Sequence, residues 1–168
     1  MSLFSMKLET MQELFVEQLR DLYDGEQQIT KALPKLIDKA KHEDLKDALQ
    51  EHLDVTHEQI RRLDQIFQML GEESSGETCK GMKGVLAEGD DLVSDAKDDA
   101  VLDASIIASA QRVEHYEIAG YGTVRTYAKL LGRTDIAELL EQTLEEEKGA
   151  DQTLSEIAES VNIEARAA

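Results

Sequence analysis

Residues 103–131 read DASIIASAQRVEHYEIAGYGTVRTYAKLL, and this stretch decides the fold. Each residue of an α-helix advances by ~100°, so positions three and four apart share a face. Ile106, Ala110, Val113, Tyr121, Val124 and Ala128 fall on one such face, and Gly132 closes the run. The spacing predicts a long helix with an apolar stripe. An acid, Glu117, stands in the middle of that stripe, and Glu114, one turn earlier, lies roughly 60° away and can still face inward. Gly120 and Gly122 resemble a phosphate-cradling glycine loop only superficially, because the third glycine is missing and no strand precedes them. Both glycines read instead as sites of close helix packing, at some cost in helix propensity.

The same pattern recurs on either side. A first helix is expected over about 10–40, opened by the capping box Thr10/Glu13 and carrying Phe15, Leu19, Leu22, Ile29, Leu33 and Leu36, with a bend at Pro34. A second is expected over about 43–70, stopped by Gly71, a third over 103–131, and a fourth over about 135–161. The connection 71–102 starts with a Gly/Ser loop and contains a short amphipathic helix over Met82–Val93. Short turns within each half and one long connection between them describe two antiparallel hairpins joined by a crossover. The expected architecture is an all-α four-helix bundle, one domain over 1–168.

Composition agrees. Hydrophobic residues make up 41% and charged residues 32%, with 4% aromatics and one proline, too few aromatic and turn-forming residues for a strand-rich domain. Thirty-six acids against eighteen bases give a formal charge of −18. That field repels phosphate backbones and gathers cations, which excludes general nucleic-acid binding. No membrane span is expected, since no apolar run approaches the roughly 18–20 residues required. The lone Cys79 has no internal disulfide partner, no secretory signal is evident, and residues 1–5 read as a leader before a natural start at Met6. A cytoplasmic protein is the expectation. No nucleophile triad or CxxC pair is present.

The two hairpins resemble each other. A shift of 91 positions aligns Glu26 with Glu117, and Leu45, Leu49, Leu53, Leu63 and Ile66 with Ile136, Leu140, Leu144, Leu154 and Ile157. Glu26 is central to the stripe of the first helix, as Glu117 is to the third. On the fourth, Leu140, Leu144, Leu154 and Ile157 place Glu147 centrally, Asp151 near one edge and Glu146 outside. The second helix carries His52, Thr56 and Gln59 on its stripe, while Asp54 and His57 fall away from it. One glutamate on an apolar stripe is ordinarily a buried acid paired with Lys or Arg. Glu26 and Glu117 at matching positions, joined by Glu147, point to shared metal ions, because converging carboxylates otherwise repel and lose hydration. Oxygen ligands suit iron, manganese and magnesium, and imidazole favours iron or zinc. His52 by itself reads first as a hydrogen-bonded core histidine and second as a ligand. Tyr23, the repeat counterpart of Glu114, reads as packing or as a hydrogen-bond partner of the site.

The segments HLDVTHEQIRRLDQIF, AQRVEHYEIAGYGT and LEQTLEEEKGADQTL resemble those of the YciE/YciF-like bacterial stress-protein family, within the ferritin-like superfamily. The resemblance spans nearly the whole chain, and VEHYEIAGYGT is its most specific string. It implies a ferritin-like bundle, a homodimer, a dinuclear metal site and a role in stress responses, without an established reaction. The single glutamates of the ferritin pattern correspond to Glu26 and Glu117. Its second-helix Glu-x-x-His falls on Thr56 and Gln59, and its fourth-helix pair on Glu147 and Ala150, keeping only the acid. The candidate ligand set is therefore Glu26, Glu114, Glu117, Glu147, Asp151 and His52, with iron the leading metal and manganese or zinc the alternatives. The functional expectation is a metal-dependent redox or metal-handling protein acting on oxygen or peroxide, with Tyr23 or His52 tuning the site. The alternative is a non-catalytic dimeric helical scaffold with a vestigial or empty metal site.

Overall fold

The computed structural model describes residues 8–75 and 77–168, and the expectation about residues 1–5 lies outside them. The described residues form five helices: α1 (Met11–Lys39), α2 (Glu43–Leu70), α3 (Lys80–Asp95), α4 (Asp99–Leu130) and α5 (Thr134–Ala167). Four are long and build the bundle, and α3 belongs to the crossover.

Local chemistry sets the ends. The Thr10 hydroxyl accepts from the Glu13 amide at 3.1 Å, and the Glu13 carboxylate accepts from the Thr10 amide at 2.8 Å. This reciprocal pair satisfies amide donors that the first turn leaves free. From there α1 runs through Pro34 to Lys39. Gly71, at φ +69°, and Gly132, at φ +73°, end their helices in the left-handed region that only glycine enters without strain. α4 begins four residues before the apolar pattern at Asp103 suggested. Asp98 caps it, accepting from the Ala100 and Val101 amides at 2.9 and 3.1 Å. α5 continues past Val161 to Ala167, since no Gly or Pro interrupts it.

α1 packs along α2 and α4 along α5, while α1 also meets α4 and α2 meets α5. The four helices therefore lie in the cyclic order α1–α2–α5–α4. Asp103, near the start of α4, accepts from the backbone amides of Lys41 and His42 at 2.8 and 2.9 Å, so α4 begins beside the α1–α2 turn. The crossover must return from the far end of α2, and α3 lies against α4 and α1 on that path. Gly120 permits a close approach, since a Cβ there would stand 2.7 Å from Leu22 Cδ2. Gly122 does not, because a Cβ would meet nothing within 4 Å.

The core is split in two. One apolar cluster holds Ile29, Leu33, Leu45, Leu49, Ile106 and Leu154 among others. A second holds Phe15, Leu19, Leu63, Phe67, Tyr121 and Leu140 with their neighbours. On each long helix the residues that fall between the two clusters are polar: Glu26 on α1, His52, Thr56 and Gln59 on α2, Glu114 and Glu117 on α4, and Glu147 on α5. A buried polar layer crosses the middle of the bundle.

Candidate metal centre

The layer is almost sealed from solvent. Glu26 and Glu114 are 0% exposed, Glu117 and Glu147 1%, and His52 8%. Ligand atoms of His52, Glu114, Glu117 and Glu147 all lie within 4.8 Å of one another. Glu26 joins them through Glu117, its carboxyl within hydrogen-bonding reach, and Glu114 stands in the same relation to Glu147. Each long helix thus delivers at least one side chain to a single small volume.

What is missing there matters as much. No Lys or Arg among the described residues reaches any of these four glutamates. His52 Nδ1 lies 2.7 Å from Glu114 Oε1, yet both Glu114 oxygens lack an aligned hydrogen bond. Glu26 Oε2, Glu117 Oε2, His52 Nε2 and Gln59 Oε1 are also buried without partners. Each such atom costs about 1–3 kcal/mol, and more if charged. A fully buried Leu in the same place would contribute ~1.5–3 kcal/mol of favourable burial. The layer is thus costly to the folded chain, which is the pattern of a ligand-binding site rather than a structural core.

The ionisations express that cost. Burial, then the charge of Glu147, pushes the Glu26 carboxyl up to about 8, with the Tyr121 hydroxyl partly opposing the shift. Burial likewise raises Glu114 to about 8, against a lowering contact with Glu147. Glu117 is lifted well above the usual carboxylate range by burial and by the charges of Glu26, Glu147 and Glu114. Burial and Glu114 lift Glu147 in the same direction, opposed by His52 and Gln59. A cation placed among these groups would supply the missing charge and occupy the orphaned oxygens. Four carboxylates and an imidazole are a donor set suited to iron or manganese, so the residues present fit such a metal.

Supporting residues orient the acids. Tyr121 donates its hydroxyl to Glu26 Oε1, and the Gln59 amide donates to Glu147 Oε1. Gln59 also reaches Glu146 Oε2 at 3.2 Å, and Arg62 grips the Glu146 carboxylate with two bonds of 2.8 and 2.9 Å. Metal-ligating carboxylates are commonly held this way. Of the sequence candidates, Glu26, Glu114, Glu117, Glu147 and His52 come together. Asp151 does not. Its side chain is 22% exposed and pairs with His115 at 3.3 Å and Gln111 at 3.3 Å on the flank where α4 meets α5. Tyr23 is also off the site, its ring edge-on to Phe67 at 5.9 Å. Sequence reasoning missed Tyr121 as a partner of the acids. The available signal was its place one turn beyond Glu117 on the same stripe.

Residues 10–167 match the family model described as a domain of unknown function (DUF892). Protein YciF of Escherichia coli K12 is 40% identical over 154 residues, covering 91% of this chain and 93% of that one. The crystal structure of the E. coli stress protein YciF superposes with a TM-score of 0.88 at 39% identity, covering 92% of this chain and 98% of that one. YcfI of Rhodopseudomonas palustris gives a TM-score of 0.88 at 48% identity, with coverages of 90% and 97%. A Xanthomonas campestris protein at 22% identity shares the fold, with a TM-score of 0.72 and coverages of 91% and 93%.

Proposed function

The chain belongs to the DUF892 family of YciF-like proteins, and we propose that it is a cytoplasmic stress-response protein whose buried polar layer holds two divalent metal ions, iron first and manganese or zinc next. The observation that carries this reading is the set of orphaned buried oxygens and nitrogens on Glu26, Glu114, Glu117 and His52, with no Lys or Arg to neutralise them. Four carboxylates carry the charge that two divalent cations balance. Glu26, Glu114, Glu117, Glu147 and His52 would hold the ions, and iron or manganese there would supply one-electron chemistry toward oxygen or peroxide. The protein's own residues do the rest. Tyr121 fixes Glu26 and offers a proton to its Oε1, while Gln59 and the Arg62–Glu146 pair hold Glu147 in place. The absence among the described residues of any helix long and apolar enough to cross a membrane fits this role.

One observation favours a second reading. Tyr121 and Gln59 already occupy one oxygen each of Glu26 and Glu147, and Thr56 stands where the ferritin pattern has an acid. A non-catalytic dimeric scaffold with an empty site would tolerate all three. The two readings separate on adding peroxide to iron-loaded protein. A redox centre gives a new absorbance band that decays with turnover, whereas a scaffold gives only the spectrum of free iron.

A further inference from the structure

Among the described residues, a roomy approach reaches the buried layer. Between α2 and α5 lies a cleft of about 280 Å³, walled by Ala48, Val55, Gly149 and Ala150, with the buried His52 and Glu147 among its lining residues. A second cavity, enclosed by α1, α3 and α4, also touches His52 and Glu114 but measures only about 30 Å³ and is lined mainly by apolar side chains. The larger space accommodates a cation with part of its hydration shell, while the smaller holds little more than a single water. Small residues keep the first cleft open: Ala48 and Ala150 end at Cβ, and Gly149 has no side chain. His52 is the most exposed of the five cluster residues, at 8%.

We infer that the α2–α5 cleft is the entry port of the centre, through which a divalent cation reaches the buried carboxylates past His52. This rests on the metal-centre reading. Charge selects the traveller. Glu51, exposed, lines the cleft, and the whole chain carries −18, so cations are drawn in and anions turned away. The acids at the bottom displace the remaining water as the ion arrives. On the opposite side, α3 covers α1 and α4, and the cavity there is narrow.

The test uses Co²⁺ alone as the probe, added to chelator-stripped protein and followed by its visible absorbance after rapid mixing. Ala150→Leu and Ala48→Leu fill the cleft from opposite walls without replacing a ligand, so one remains informative if the other fails to fold. Each is expected to slow Co²⁺ uptake by about tenfold or more while the final Co²⁺ content matches wild type, because a plugged route changes rate rather than equilibrium. Unchanged uptake rates at unchanged content would overturn the port and leave the metal centre standing. A lowered content with an unchanged rate would also overturn it. A wild-type protein that binds no Co²⁺ removes the port together with the metal reading.

Discussion

Raising the pH should destabilise the metal-free protein. Glu26 and Glu114 are each held up to about 8 in the folded chain, against a reference of 4.5. Burial dominates both shifts. A group whose folded pKa is raised gives stability that is complete below its unfolded pKa and is lost as the pH climbs through the folded value. Between pH 5.5 and 7.5 the folded chain holds at least the two protons of Glu26 and Glu114 that the unfolded chain releases, and the raised carboxyls of Glu117 and Glu147 act in the same direction. Each such proton removes about 1.4 kcal/mol of stability per pH unit, so the two together remove about 5 kcal/mol across the window. For a chain of this size that lowers the thermal midpoint by roughly 10–20 °C. Glu13, Glu43, Asp135 and Glu141, whose carboxyls are lowered by hydrogen bonds and charge pairs, contribute in the opposite sense but finish titrating below this window. The assay is thermal unfolding by far-UV circular dichroism in the presence of a chelator. The Glu26→Gln, Glu114→Gln double variant serves as control and should have a shallower slope, since its amides do not ionise while Glu117 and Glu147 still do. A wild-type midpoint that stays level or rises from pH 5.5 to 7.5 would refute the reasoning, because the acids would then be ionised and satisfied without a metal.

Other expectations follow from particular contacts. Glu26→Ala should weaken metal binding yet raise the stability of the metal-free protein, because it removes a ligand and relieves repulsion among the remaining acids. Paired titration and unfolding measurements check the two signs. Asp103→Ala should cost about 2–3 kcal/mol, because the Lys41 and His42 amides at the α1–α2 turn lose a charged acceptor, and a denaturant melt measures this. A homodimer, expected from the resemblance alone, should appear in sedimentation velocity at micromolar concentration, where a purely monomeric boundary would exclude it.

Much of the fold is legible in the sequence because its determinants are local. The capping box at Thr10 and Glu13, the stop at Gly71 and the apolar spacing of each stripe act within a turn or two. The central acids Glu26, Glu117 and Glu147 were legible for the same reason, each lying at the centre of its own stripe. Glu114 was harder to place, since it lies off the centre of its stripe. It is buried because α4 packs against α1, α3 and α5 at once, which widens its buried arc to include Asp103 and Ser109 as well. The partners across helices were not legible. Asp151 sits one turn beyond Glu147 and shares its side of α5, yet the positions of Gln111 and His115 on α4 draw it outward. That choice depends on where α4 lies, and no spacing within α5 encodes it. Gln59 and Tyr121 had the same difficulty. Their places on the stripes were readable, but which acid each would hold depended on the packing of α2 against α5 and of α1 against α4.

The central claim is that the buried carboxylates bind metal, and the most direct measurement is the metal content of protein purified without chelator, wild type beside the Glu26→Ala, Glu117→Ala double variant. Mass-spectrometric elemental analysis of the wild type should find about two ions of iron or manganese per chain, in keeping with a carboxylate-bridged pair. The double variant, lacking the acids contributed by α1 and α4, should lose most of that content while remaining folded. Equal metal content and affinity in the two proteins, or a wild type that binds no metal when iron and manganese are supplied, would contradict the claim and leave the scaffold as the better reading.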